Sequence, residues 1–228
     1  MIEWAKMTMT EIDELDRSLP VIIPIGLVES HGPHMGVNVD TEGAEHFARK
    51  VCEQTGAILM PSLAYGYIGE MRDYVGTVGL CSETLSYVVA DILDCLARQG
   101  FMKVIFLSGH VANGRGVEMG FEKVWTKHPK MRPAYWVYWS FAGTPMRHAD
   151  KIETEFAMLT GTPVHMEKAK DYEFNRPWHA VRSRHDFNPE SGGVQGKASS
   201  ARAQDSKEEY DKVLASLIAK VNEAKADN

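Results

Sequence analysis

The sequence predicts an α/β fold, a mainly parallel β-sheet covered on both faces by helices. Three observations predict it. Short, nearly continuous apolar runs alternate with longer segments of helical period. Such runs belong to strands buried on both faces. No internal repeat or interdomain linker interrupts the alternation, so residues 1–228 are expected to form one domain.

The first strand is read at Val21 to Val28, although Pro24 lacks an amide donor and so implies an edge position or a bulge there. Residues 41–55 carry Ala44, Phe47, Ala48 and Val51 on one helical face, with Gly56 as the stop. Ala57 to Met60 is a second strand, followed by a Gly- and Tyr-rich loop from Tyr65 to Thr77. Ser82 is the expected N-cap of a helix with Leu85, Val88, Val89, Ile92, Leu93 and Leu96 on its apolar side, closing at Gly100.

Lys103 to Ser108 is a strand leading into the turn Gly109 to Gly114. A helix through Phe121 and Trp125 stops before Pro129, and Pro133 to Phe141 reads as an aromatic strand. A helix around Ile152, Phe156 and Leu159 ends at Gly161. Residues 171–204 show little periodicity and are expected to form a long functional or interface loop. The last helix opens with an apparent capping box, Ser206 to Glu209, and repeats Tyr210, Val213, Leu214, Leu217, Ile218 and Val221.

Composition narrows the partners. A hydrophobic content of 44% and a charged content of 25% are globular values. A net charge of −6 without a Lys/Arg stripe excludes a nucleic-acid partner. Met1 to Pro20 is unlike a secretory leader and the apolar runs are strand-sized, so a cytoplasmic protein without membrane partners is expected. Cys52, Cys81 and Cys95 form no CxxC pair and read as reduced core thiols.

In open α/β sheets, ligand-binding groups gather past the carboxyl ends of strands. Glu29, His31 and His34 follow the first strand, with Asp40 next before a helix. His110 follows the Lys103–Ser108 strand, and the aromatic strand leads to His148, Asp150 and Glu153. Carboxylates and imidazoles suit Zn²⁺, Mn²⁺ or Fe²⁺, and one carboxylate can bridge two cations. Two neighbouring cations activate a water and polarise a carbonyl under attack, while a histidine protonates the departing nitrogen. Singly, each piece is ordinary: a Gly-His turn, a Glu-x-His pair, an Asp acting as N-cap. Their joint placement at strand ends is what carries the metal reading.

The same residues resemble a known family. Pro24-Ile25-Gly26-Leu27-Val28-Glu29-Ser30-His31-Gly32-Pro33-His34, with Asp40 nine residues past His31, resembles the opening motif of the creatininase (creatinine amidohydrolase) family. Gly109-His110-Val111-Ala112-Asn113-Gly114 is similar to its Asn-Gly-His-Gly-Gly-Asn motif, and His148 to Thr154 to its His-Ala-Gly-x-x-Glu-Thr motif. Gly193-Val194-Gln195-Gly196 resembles a further segment, so the likeness runs from about residue 20 to 215.

The resemblance implies a three-layer α/β sandwich, two divalent metal ions per chain and a homohexamer. It implies that Glu29 and His110 hold one metal and His31 the other, with Asp40 bridging. His148 would be the catalytic acid/base, Glu153 would complete the second metal's shell or bind substrate, and His34 would give a supporting hydrogen bond. The chain departs from the pattern at Ala112, where creatinine-hydrolysing members carry a glutamate, and at Ser108, Met71 and Val75.

The expected activity is hydrolysis of an amide-type C–N bond in a small, polar, cyclic molecule. Ring opening of a cyclic ketone such as an inosose, a C–C cleavage, uses the same groups and remains open. So does a non-catalytic binding protein, given the altered second motif. Tyr135, Trp136, Tyr138 and Trp139 read as packing residues or as walls for a flat ring. Trp178 and His179 are candidates for a lid, and Arg182, Arg184 and His185 for an anion contact. Glu70, Arg72 and Asp73 read as a solvated loop or as readers of substrate polarity.

Overall fold

The computed structural model describes residues 1–173 and 189–227. Five strands form one parallel sheet: β1 (Ile2–Glu3), β2 (Val21–Ile25), β3 (Ile58–Leu59), β4 (Lys103–Ser108) and β5 (Arg132–Val137). Their spatial order is β1-β3-β2-β4-β5. The principal helices are α1 (Met9–Asp13), α2 (Val39–Thr55), α3 (Ser82–Arg98), α4 (Gly114–Trp125), α5 (Lys151–Thr160) and α6 (Lys207–Ala226).

The period-two pleat sorts the strand residues between two faces. Val21, Ile23 and Ile25 of β2, with Val104 and Phe106 of β4, pack against Leu85, Val89 and Leu93 of α3 and Val117, Phe121 and Val124 of α4. Ile22, Ile105 and Leu107 point the other way, onto Phe47 and Val51 of α2, Phe156 of α5 and Val213, Leu217 and Val221 of α6. The result is three layers, as the apolar runs require: both faces of β2 and β4 lie in core. Phe47 is fully buried, and burying one such side chain is worth about 1.5–3 kcal/mol.

Several elements differ from the sequence reading for identifiable reasons. Pro24 lies in a central strand, not at an edge. β3 pairs with β2 only at Ile58 and Leu59, and contact resumes at an Ile25–Leu63 bridge, so Pro24 faces the gap between them. The missing donor therefore costs no ladder bond. α2 begins at Val39, which puts Asp40 inside its first turn and not ahead of it. Cys81, not Ser82, caps α3, its sulfur accepting from the Thr84 amide.

The aromatic strand ends at Val137, and Tyr138–Ala142 close into a 3₁₀ turn that sends Tyr138 into the core against Phe47. The capping box at α6 does not form, because the Ser206 hydroxyl donates to buried Glu155 instead. Cys52 is a core thiol as expected, whereas Cys81 and Cys95 are exposed. The long segment contains 3₁₀ turns at Pro189–Ser191, Ala198–Ser200 and Ala203–Ser206. No helix among the described residues is long and apolar enough to cross a membrane.

Two glycines fix where the sheet meets α2. A Cβ at Gly26 would lie 2.3 Å from the Thr41 amide nitrogen, and one at Gly109 would lie 2.1 Å from the Asp40 carbonyl oxygen. The first turn of α2 is thus wedged between the ends of β2 and β4 at distances only hydrogen side chains allow. Gly109→Ala should destabilise the protein by about 1–3 kcal/mol, because backbone on both sides must move. Urea unfolding measures this, and an unchanged midpoint would mean the wedge has slack.

Candidate metal centre

The carboxyl ends of β2 and β4 deliver the side chains. Glu29 and His31 leave the turn after β2, and His110 stands two residues past β4. Asp40 enters from the first turn of α2, where the helix dipole favours its negative charge. Glu153 enters from the first turn of α5, and His148 from the loop before it. All but His110 and His148 are buried at 7% exposure or less.

Among the described residues, three triads each bring one ligand atom per member within 4.8 Å of the others: Glu29–Asp40–His110, His31–Asp40–Glu153 and Glu29–His31–His148. The first two share Asp40. Its Oδ2 lies 3.4 Å from His110 Nδ1, and its Oδ1 lies 3.4 Å from His31 Nε2. His110 Nδ1 is 3.0 Å from Glu29 Oε2, and His31 Nε2 is 3.7 Å from Glu153 Oε2. Each carboxylate oxygen of Asp40 thus faces a different half of the cluster.

Polar atoms here are left over. Glu29 Oε2, His31 Nε2, Asp40 Oδ2 and His110 Nε2 are buried without a hydrogen bond of good geometry, although some lie at ion-pair distance. Buried polar atoms normally find partners. Unsatisfied carboxylate oxygens beside an imidazole nitrogen, in a hard and borderline donor set, fit divalent cations. His31 is already arranged for it: Nδ1 donates to the Glu29 carbonyl at 3.0 Å, leaving the Nε2 lone pair directed at Asp40 and Glu153.

Without cations, protons take their place. Burial pulls His110 down, but Glu29 and Asp40 outweigh it and raise its pKa from 6.5 to about 10. Burial also opposes charge on His31, yet Glu153 and Asp40 hold its pKa well above the usual value. Asp40 is pushed the opposite way: burial would raise its pKa, and His31 and His110 lower it. Glu153 behaves likewise, lowered by His31 against burial.

The remaining sequence candidates fall into place around this cluster. His148 Nε2 donates to the Ser30 carbonyl at 2.8 Å, its ring 4.3 Å from that of His31, so Nδ1 is the nitrogen facing Glu29, at 3.9 Å. His34 joins no triad. Its Nε2 donates to Thr154 Oγ1 at 3.0 Å, and burial, followed by the nearby His31 charge, lowers its pKa to about 4, so it stays neutral. It props the turn against α5 and reaches no ligand side chain. Trp178, His179, Arg182, Arg184 and His185 lie outside the described residues.

Positioning comes from Asn113 and Ala149, to which sequence reasoning assigned no role, and from Asp150, which it grouped with the candidate ligands. Asn113 is fully buried; its amide donates to the Gly26 carbonyl at 3.1 Å and its oxygen accepts from the Tyr67 amide at 2.7 Å. It joins the ends of β2 and β4 to the Tyr-Gly loop. Asp150 caps α5 by accepting from the Glu153 amide at 3.1 Å, and burial raises its pKa to about 6. Ala149 adopts a left-handed φ of 50° and its amide donates to the Glu153 carboxylate. The signal for all three was their place inside the motifs. Above the cluster opens a cleft of about 300 Å³, with Trp139, Ala112, Arg115 and Arg147 on its walls. Trp139 is held by its indole N–H on the Gly109 carbonyl at 3.2 Å.

A parallel α/β sandwich with a carboxylate–imidazole cluster at its strand ends defines a sheet protein with a candidate metal site. The family model for creatininase (creatinine amidohydrolase) matches residues 5–221, and the chain belongs to the creatininase family. Creatinine amidohydrolase of Pseudomonas putida is 34% identical over 107 residues, 45% of this chain and 41% of that protein. A mycofactocin precursor peptide peptidase of Mycolicibacterium smegmatis is 32% identical over 99 residues, 41% of this chain and 40% of its own length. These matches span about two fifths of those relatives.

A 3-dehydro-scyllo-inosose hydrolase of Thermotoga maritima is 30% identical over 192 residues, 73% of this chain and 59% of that protein. A creatininase crystal structure superposes with a TM-score of 0.88 at 21% identity, covering 100% of this chain and 99% of the other. A mutant creatininase of Zn–Zn type and a creatininase described as the Mn form score 0.86 and 0.87, each 22% identical over 97% of this chain and 97% and 98% of theirs. These structures establish the fold.

Linkage gives a testable pH dependence. A histidine whose folded pKa is raised contributes stability fully present below its unfolded value and lost as pH rises through the folded one. For His110 in chelator-treated protein, the loss runs from about 6.5 to about 10. Urea unfolding in excess chelator should show declining stability over this window, with a shallower slope in His110→Gln. A flat profile in the parent protein would contradict the imidazolium–carboxylate pairing.

Proposed function

We propose that this chain is a metal-dependent hydrolase that holds two divalent cations, zinc, manganese or iron, and breaks an amide-type C–N bond in a small, polar, cyclic substrate. The observation that carries this reading is Asp40, whose two oxygens face His31 and His110 in separate triads. Glu29 and His110 would hold one cation and His31 and Glu153 the other, with Asp40 between them. When bound, such a pair polarises a carbonyl and lowers the pKa of a water towards neutrality.

The protein's own groups do the rest. His148, with Nε2 engaged by Ser30, has Nδ1 available to carry a proton to the departing nitrogen. Trp139, tethered to Gly109, gives a flat substrate ring a fixed wall. The family resemblance supports assembly as a homo-oligomer, a hexamer. Ala112 lines the cleft where creatinine-hydrolysing members carry a glutamate, which argues for a substrate other than creatinine.

A second reading has its own support. The relative matched over the longest stretch described above is an inosose hydrolase. Attack on the ketone of a ring, followed by C–C cleavage, uses the same polarised carbonyl. A panel of lactams, formamides and cyclic ketones separates the two, and turnover of the ketones alone would remove the C–N reading.

Purified wild-type protein is expected to contain close to two divalent metals per chain, and Asp40→Ala far fewer, by elemental analysis. Fewer than one in the wild type, unaffected by the substitution, would return the chain to the class of non-catalytic binding proteins. On any substrate found, His148→Ala should lower kcat by about 10²–10⁴. An unchanged kcat would reassign the proton transfer.

A further inference from the structure

We propose that the substrate taken by this site carries an anionic group, a carboxylate or its equivalent, received by Arg115 and Arg147 at the mouth of the cleft. The inference rests on the metal-hydrolase reading above and names the class of molecule it acts on.

Both arginines line the same cleft as Glu29, Asp40, His110, His148 and Glu153. They arrive from different elements: Arg115 from the first turn of α4, directly after the His110 motif, and Arg147 from the residue preceding His148. Two of the three segments that supply the cluster's histidines, those of His110 and His148, therefore each bring an arginine to the cleft. Among the described residues, neither side chain has a carboxylate partner. The contacts of Arg115 are Tyr67, whose hydroxyl accepts from it at 3.4 Å and whose ring centroid lies 5.8 Å away. Arg147 is anchored through its backbone amide on Asp150 at 3.2 Å, leaving its exposed side chain uncommitted. Most other arginines of the chain with a resolved contact are engaged: Arg17 with Asp13, Arg49 with Glu3 and Glu45, Arg98 with Asp94, Arg132 with Asp227.

Charge at the floor strengthens the case. Glu29, Asp40 and Glu153 are committed to the cluster, so they do not neutralise the mouth. Glu70 shares the rim but has an interaction of its own. Two guanidinium groups lining one cleft, with planar donors and no carboxylate partner among the described residues, match a carboxylate or similar oxyanion. A ring held against Trp139, with its carbonyl over the cluster, would direct such a substituent outward to this pair.

The test uses full-length, metal-loaded protein and a matched pair of lactams, 5-oxoproline, which bears a carboxylate, and neutral 2-pyrrolidone. Binding is measured by calorimetry in wild type and in Arg115→Gln/Arg147→Gln, with metal content determined on the same samples. Wild type should prefer 5-oxoproline by about tenfold or more, and the double variant should lose that preference. A preference that survives the double substitution would place the carboxylate on the cluster and overturn the proposal. Equal affinities, or no binding of either ring by protein that holds its metal, would also overturn it. Metal content is read independently, so failure of the metal centre is distinguishable from failure of the arginine pair.

Discussion

Three carboxylates, Glu29, Asp40 and Glu153, are buried with Asp40 within 4.8 Å of each of the other two, and they share that space with His31 and His110. Such an arrangement is tolerable only if positive charge comes with it, since isolated buried carboxylates are strongly destabilising. In the cation-free protein the two imidazoles supply that charge, which is why their pKa values rise while those of Asp40 and Glu153 fall. The same electrostatic demand would suit divalent cations as occupants. Folding and site chemistry thus depend on a single balance of charge at the end of the sheet.

The scaffold holds that balance in place by close backbone approach. Gly26 and Gly109 let the first turn of α2 sit against the ends of β2 and β4, and Asn113 ties the two strand ends together. Ser30 joins a third segment: its hydroxyl donates to the Gly192 carbonyl while its own carbonyl holds His148. A small apolar cluster of Met35, Val39, Ala149, Ala157, Val194 and Ala198 lies beneath these contacts. Rigidity of this kind suits a site whose donors must stay within tenths of an ångström of their positions.

Much of this was legible in the residues because it depends on short-range pattern. Apolar runs located β4 and the start of β2, which ends at Ile25 and not at Val28, and helical period located α2, α3, α5 and α6 within a residue or two. Motif position drew Glu29, His31, Asp40, His110, His148 and Glu153 to one rim, where the structure places them. What stayed hidden depended on partners distant in sequence. The two-residue strand Ile2–Glu3 exists only because Ile58 and Leu59 pair with it. Pro24 is tolerated in the sheet centre because β3 ends short of it, which no local rule states. Tyr138 leaves its strand for the core because Phe47 and Phe156 make a place for its ring. Arg115 and Arg147 drew no reading from the sequence, and only the cleft joins them.

Glu155 has a consequence of a different kind. Fully buried in α5, two residues past Glu153, it is held by Lys151, by the Arg202 amide at 2.9 Å and by the Ser206 hydroxyl. Two of its three partners are thus about fifty residues downstream of it. During synthesis the chain emerges from its amino end, so α5 cannot reach its final packing until residues 202–206 are made. Glu29, His31, Asp40 and His110 are all available long before that. Availability is therefore ordered along the chain: the residues from β2, α2 and β4 come first, and the helix that carries Glu153 gains its last partners only with the start of α6.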